Sequence, residues 1–114
     1  MSRYSQKADA LRARITHGIT YMDGGMGTQL QARGLAAGEL PELWNLNRPE
    51  DVTAIHRAYY AAGAHVVTTN TFGANALKYG EETEAVVAAA VCIAKEAIAE
   101  AGHGYAALDL GPTG

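Results

Sequence analysis

The stretch Asp23-Gly24-Gly25-Met26-Gly27-Thr28 sets a carboxylate directly before three glycines within four residues. It follows the short apolar run Ile19 to Met22, so the pattern predicts a strand that stops at Asp23 and turns into a helix. Glycines at such a turn let the backbone approach a ligand with no Cβ in the way. They also leave N–H donors facing outward at a helix N-terminus, where an anion is favoured. Asp23 offers the opposite sign. An acceptor for an ammonium beside donors for a carboxylate suits a free α-amino acid. The same residues would equally make a plain strand-to-helix turn with Asp23 as its cap, and the stretch by itself leaves both readings open.

A second group of polar residues stands at the end of another apolar run. Ala64 to Thr69 is β-branched and directly follows a predicted helix, which points to a buried parallel strand. It ends in Asn70-Thr71-Phe72-Gly73-Ala74-Asn75, and the C-terminal ends of parallel strands are where α/β folds place ligand contacts. Asn70 and Asn75 could instead cap turns. A third run, Tyr105 to Leu110, ends in Gly111-Pro112-Thr113-Gly114.

Helices must position these strand ends. Residues 4 to 14 carry Ala8 and Leu11, with Ile15 just beyond, at helical spacing, and a leading helix is expected to cover the bottom or side of the fold. Thr28 to Arg33 reads as the helix after the glycine turn, closed by Gly34. Leu35 to Leu46 reads as a loop, with Trp44 expected as a lid over a core edge. Asn47-Arg48-Pro49-Glu50 has the form of a helix start resembling a capping box, and Val52, Ile55, His56, Tyr59 and Ala62 then share one stripe. His56 lacks a partner at metal-ligand spacing and is expected to be a satisfied, partly buried histidine. Thr83 to Ala101 is the longest predicted helix, with Val86, Ala90, Ile93, Ala97 and Ala101 on its apolar stripe. Cys92 within it is expected to be a small core residue.

Composition narrows the function. With 114 residues, 18% of them charged, and a net charge of -3 without a Lys/Arg run, the chain has no electrostatic footprint for nucleic acid or an anionic membrane. A single Cys rules out an internal disulfide and fits a cytoplasmic location. No basic-then-apolar leader and no apolar run near 18 residues is apparent, so neither a signal peptide nor a membrane span is expected.

Several segments share an order and spacing. Asp23 to Thr28, Asn45-Leu46-Asn47-Arg48-Pro49, His56-Arg57-Ala58-Tyr59, Ala62-Gly63-Ala64, Thr69 to Asn75 and Asp109 to Gly114 together resemble the homocysteine S-methyltransferase family. Within it they are most similar to the homocysteine-binding domain that opens cobalamin-dependent methionine synthases. The resemblance covers about residues 15 to 114. It implies a TIM (β/α)8 barrel, a fold of about 250 residues. Residues 1–114 would then be an incomplete α/β portion, the N-terminal βα units with about three strands and a leading helix over 1–14.

The resemblance also implies chemistry. Family members transfer a methyl group to the thiolate of homocysteine, giving methionine, and zinc held by cysteine thiolates lowers the pKa of that sulfur. Those cysteines come from later strands, and Cys92 matches none of them, so neither catalytic nor metal-binding residues are expected here. Asp23 would face the substrate ammonium, the N–H groups of Gly24, Gly25 and Met26 its carboxylate, and Asn70, Thr71 and Phe72 would line the adjacent wall. Cobalamin acting through another domain is one candidate methyl donor, beside a sulfonium compound or betaine. The expected partners are homocysteine and the remainder of the barrel, without which the chain would be inactive. The competing expectation is a small α/β binding module that buries its strand edges by self-association and catalyses nothing.

Overall fold

Val66–Thr68 (β1) and Tyr105–Ala107 (β2) pair in parallel, with Val66 opposite Tyr105, Val67 opposite Ala106 and Thr68 opposite Ala107. They belong to a computed structural model that describes residues 3–111. The loop expected over residues 112–114 lies outside the described residues.

The chain opens with helix α1 (Arg3–His17), longer than the predicted 4–14. Ile15 on its expected apolar stripe is 59% exposed, so α1 lies beside the sheet without sealing it. A groove between α1 and the start of the strands is lined by Lys7, Ala10, Arg14, His65 and Tyr105. The predicted first strand is reduced to one parallel bridge, Met22 with Val66. His65 and Val66 donate to the carbonyl of Tyr21 at 2.7 and 3.2 Å, and the Asp23 amide donates to that of Val66 at 2.9 Å. Ile19, Tyr21 and Met22 remain exposed, so extended pairing there gains little burial.

Next come α2 (Met26–Ala32), a 3-10 turn (Pro41–Leu43), α3 (Trp44–Asn47) and α4 (Pro49–Ala61). Two expectations are corrected here. Trp44 is no lid on a loop: it starts α3, is 1% exposed, and packs in a core of Leu30, Val52, Ile55 and Ile93. Its indole N–H donates to Glu39 at 2.8 Å, and the Arg48 guanidinium sits 4.0 Å from its ring centroid. The capping box does not form either, because Asn47 ends α3, while Arg48 is the residue before α4 and makes no side-chain cap. Arg48 instead pairs with Asp51 at 2.8 Å, and Pro49 takes the first helical position, where its missing N–H costs nothing.

After β1, α5 (Ala76–Tyr79) is capped by the Asn75 side chain, which accepts from the Lys78 amide at 3.2 Å. A second 3-10 turn (Gly80–Glu82) leads into α6 (Thr83–Ala101). This helix keeps the predicted bounds and buries Val86, Ala90, Ile93, Ala94 and Ala97. Gly102 ends it in the left-handed region at φ 79, which a Cβ would disfavour. Its alanines let α6 lie close to α4 and to the strands, where Ala97 joins Tyr60 and Val67 in a second core cluster. Cys92, expected in the core, is exposed. It lies one position before the buried pair Ile93 and Ala94, on the solvent side of the stripe. Among the described residues no helix is long and apolar enough to cross a membrane.

Candidate functional site

The C-terminal ends of the paired segments bring Asp23, the Thr68–Phe72 stretch and Asp109 together. Asp23 leaves its bridge with its carboxylate turned to β1, where Oδ2 accepts from the Thr68 amide at 3.0 Å and both oxygens lie 3.3 Å from the Thr68 hydroxyl. Burial raises the Asp23 pKa above its ordinary 3.8. The Thr68 bonds oppose the rise, and the negative charge of Asp109 adds to it. A cation brought to this carboxylate would favour its charged form and so oppose the rise.

Beyond Asp23 the glycine turn has no positive φ at Gly24, Gly25 or Gly27, so backbone conformation does not demand glycine there. Close approach does at Gly24, where an added Cβ would lie 2.9 Å from the Tyr59 hydroxyl. That hydroxyl donates to the Gly25 carbonyl at 3.1 Å and pins the turn. A Cβ at Gly27 would meet nothing within 4 Å, and one at Gly25 would meet only Thr28, so this face of the turn is open. Among the described residues the amides of Gly24, Gly25 and Met26 donate to no backbone carbonyl. Three N–H donors beside a carboxylate can receive an anion and a cation a few ångströms apart.

The predicted wall residues behave differently from one another. Asn70 is 5% exposed and points inward, its amide donating to the Pro41 carbonyl at 3.0 Å and to Asn45 Oδ1 at 3.1 Å. Asn45 returns the contact, donating to the Asn70 carbonyl at 2.8 Å and to Val86 at 3.3 Å. Thr71 is buried, and its hydroxyl donates to the Asp109 carbonyl at 2.7 Å. Phe72 is 61% exposed. The side chains of Asn70 and Thr71 therefore shape the wall from behind, and Phe72 presents the free surface.

Other residues near the site carried no clear signal in the sequence. Glu42 is buried and accepts from the Tyr79 hydroxyl at 3.2 Å, and burial followed by the Glu42 charge pushes the Tyr79 pKa up to about 12. Its carboxylate abuts Gly73, where a Cβ would overlap it. Tyr60, under β1 and β2, donates to the Tyr105 carbonyl at 2.9 Å, and burial, then the Asp23 charge, raises it to about 12. The run Thr68-Thr69-Asn70-Thr71 was visible as polar residues after a strand. Asn45 stood out only within the Asn45 to Pro49 segment that resembles the family, and nothing local showed that its side chain bonds the Asn70 carbonyl.

His56, expected to be partly buried and satisfied, is fully buried with neither ring nitrogen bonded among the described residues. Burial lowers its pKa from 6.5 to about 4, so it sits in the core as a neutral imidazole. Among the described residues no group of three His, Cys, Asp or Glu side chains could hold a metal ion.

The parallel α/β arrangement thus gathers acidic, hydroxyl and amide groups at its strand ends. The chain belongs to the homocysteine S-methyltransferase family, whose model matches residues 20–114. It is 42% identical over 79 residues to methionine synthase of Mycobacterium tuberculosis and 43% identical over 65 residues to that of Mycobacterium leprae. Those matches cover 64% and 52% of this chain but only 6% and 5% of the two enzymes. Its structure is similar to the crystal structure of the homocysteine methyltransferase MmuM from Escherichia coli in its metallated form. The TM-score is 0.73 at 28% identity, covering 90% of this chain and 41% of MmuM. The oxidised form matches with TM-score 0.72 at 30% identity.

Proposed function

We propose that residues 1–114 are the N-terminal βα units of a TIM-barrel homocysteine S-methyltransferase and supply the part of its site that grips the amino-acid end of homocysteine. The observation that carries this reading is the juxtaposition of the partly buried Asp23 carboxylate with the undirected amides of Gly24, Gly25 and Met26, inside a chain matched by the family over residues 20–114. Asp23 accepts from the substrate ammonium. The three amides receive its carboxylate, and Phe72 at the mouth flanks the side chain, with Asn70 and Thr71 supporting that wall. Fixing both ends of the zwitterion orients the sulfur for attack on the methyl donor, and orientation of this kind lowers the barrier without a proton moving on these residues.

The zinc that activates the sulfur in this reading is held by cysteines on later strands, and cobalamin serves as methyl carrier where the complete protein has a domain for it. The setting is cytoplasmic. Ile19, Tyr21, Met22, Leu108 and Leu110 are exposed on the outer segments of the sheet, and the remaining strands of the barrel cover them. Those same faces favour the second reading, in which copies of the chain cover one another. Sedimentation of residues 1–114 separates the two, since a folded, discrete oligomer supports self-association.

The first reading is tested by metal analysis and methyl-transfer assays. Residues 1–114 alone should hold no stoichiometric zinc and transfer no methyl group, whereas the polypeptide extended through the later cysteines should do both. Tight stoichiometric zinc on residues 1–114 would refute it.

A further inference from the structure

The exit of β1 carries two hydroxyls whose bonding goes beyond lining a wall. Thr69 and Thr71 are 3% and 4% exposed, and their oxygens lie 2.7 Å apart. The Thr71 hydroxyl donates to the Asp109 carbonyl at 2.7 Å, and the Asp109 amide donates to Thr69 Oγ1 at 3.2 Å. A hydroxyl has one proton to give. That of Thr71 is committed to the carbonyl, so Thr69 is the donor between the two. The bonds close into a ring that runs from the Asp109 amide to Thr69, on to Thr71 and back to the Asp109 carbonyl. Each hydroxyl donates once and accepts once, an arrangement in which successive bonds polarise one another.

The ring takes over where the backbone ladder stops. The last ladder bond is from the Thr69 amide to the Ala107 carbonyl at 2.9 Å, and two residues on, side chains satisfy both backbone groups of Asp109. On the other flank the neighbouring Thr68 holds the Asp23 carboxylate. One short stretch of the central strand thus ties down the loops on either side of it. The two exits come so close that a Cβ on Gly111 would overlap the Phe72 carbonyl. The tied Asp109 amide bonds Thr69, the residue next to the Thr68 that holds Asp23, and the negative charge of Asp109 is felt at Asp23.

We infer that Thr69 and Thr71 are positioning residues for amino-acid binding: their hydroxyl ring holds the Asp109 loop against the pocket mouth and so sets its fit to the substrate's ammonium end. This rests on the function proposed above. The test uses the complete natural polypeptide with Thr69→Val, Thr71→Val and the matching serine variants. It reads homocysteine affinity, kcat, the pH profile of binding and amide hydrogen exchange at Asp109.

The valine variants should bind homocysteine about tenfold more weakly, with kcat falling as well but by a smaller factor. Their acid limit of binding should move to lower pH as the Asp109 charge drifts away from Asp23. Serine keeps the hydroxyl and should restore affinity to within about twofold. Folded valine variants that exchange the Asp109 amide faster yet bind as the parent does would overturn the inference, as would serine variants as weak as valine. Should a valine variant not fold, the parent protein decides, because saturating homocysteine must slow exchange at Asp109 and unchanged exchange would refute the role. A parent protein that binds no homocysteine would defeat the functional reading before any substitution is made.

Discussion

The two flanks of β1 show what a strand gains from a neighbour. Toward β2 the pairing is regular for three residues, the ladder runs one residue further, and a closed hydroxyl ring continues it to Asp109. Toward Ile19–Met22 there is one bridge, and the side chains at its edge are exposed. Both flanks begin as short apolar runs, so composition does not separate them. The difference is burial: α4 and α6 cover the Val67 side through Tyr60 and Ala97, and no described element covers the outer side of Tyr21 and Met22.

The contrast can be broken by mutation. Trp44→Ala, in the buried helical core, should cost residues 1–114 about 3–5 kcal/mol in chemical denaturation, since the ring packs beside Leu30 and Ile55. Ile19→Ala on the bare flank should cost less than about 0.5 kcal/mol in residues 1–114. In the extended polypeptide it should cost measurably more if the proposed further strands cover that side chain. Equal, small costs in both would argue against the barrel.

A pH experiment sharpens the same comparison from inside the covered half. His56 is held neutral in the fold with its pKa lowered to about 4, while the unfolded chain takes up a proton from about pH 6.5 downward. The unfolded state therefore binds more protons between these values, and stability present above pH 6.5 is lost as the pH falls to about 4. The difference between parent and His56→Leu across this window should approach 3 kcal/mol. At pH 7 the leucine variant should be as stable as the parent or more so, because both imidazole nitrogens are buried without partners.

Smaller still is Asn45→Ala, which removes the donor to the Asn70 and Val86 carbonyls and should cost about 2 kcal/mol with faster amide exchange around Asn70. Smallest is the surface pair Arg57 and Glu100 at 2.5 Å. Both side chains are about half exposed, and a double-mutant cycle should find less than about 0.5 kcal/mol.

Long periodic patterns and strand ends were legible. Thr83–Ala101 matched its stripe because an alanine-rich helix with every fourth residue apolar has one way to bury itself. The order of helices and parallel segments followed from where β-branched runs fell between helices. Local polar chemistry was less legible. Asn47 resembled a cap, yet α3 ends on it, because Trp44 has to enter the core and draws its own helical turn in with it. Asn70 and Asn45 find each other across 25 residues, a pairing no local pattern encodes. Cys92 read as core because the helix around it is small and apolar on nearly every side, and only the fold decides which side faces water. The glycine turn was legible as a turn, but the reason for Gly24, the Tyr59 hydroxyl beside it, lies on another helix.

The central claim is that Asp23 and the turn after it hold the zwitterionic end of homocysteine. Isothermal titration of homocysteine into the complete polypeptide, parent against Asp23→Asn, tests it most directly, with circular dichroism to confirm that the fold is retained. Removing one charge-assisted hydrogen bond should weaken binding by about 10- to 150-fold. The parent's affinity should also fall away in acid at a pH above that of an ordinary aspartate, in keeping with its raised pKa. A folded Asp23→Asn protein that binds homocysteine as tightly as the parent would contradict the account.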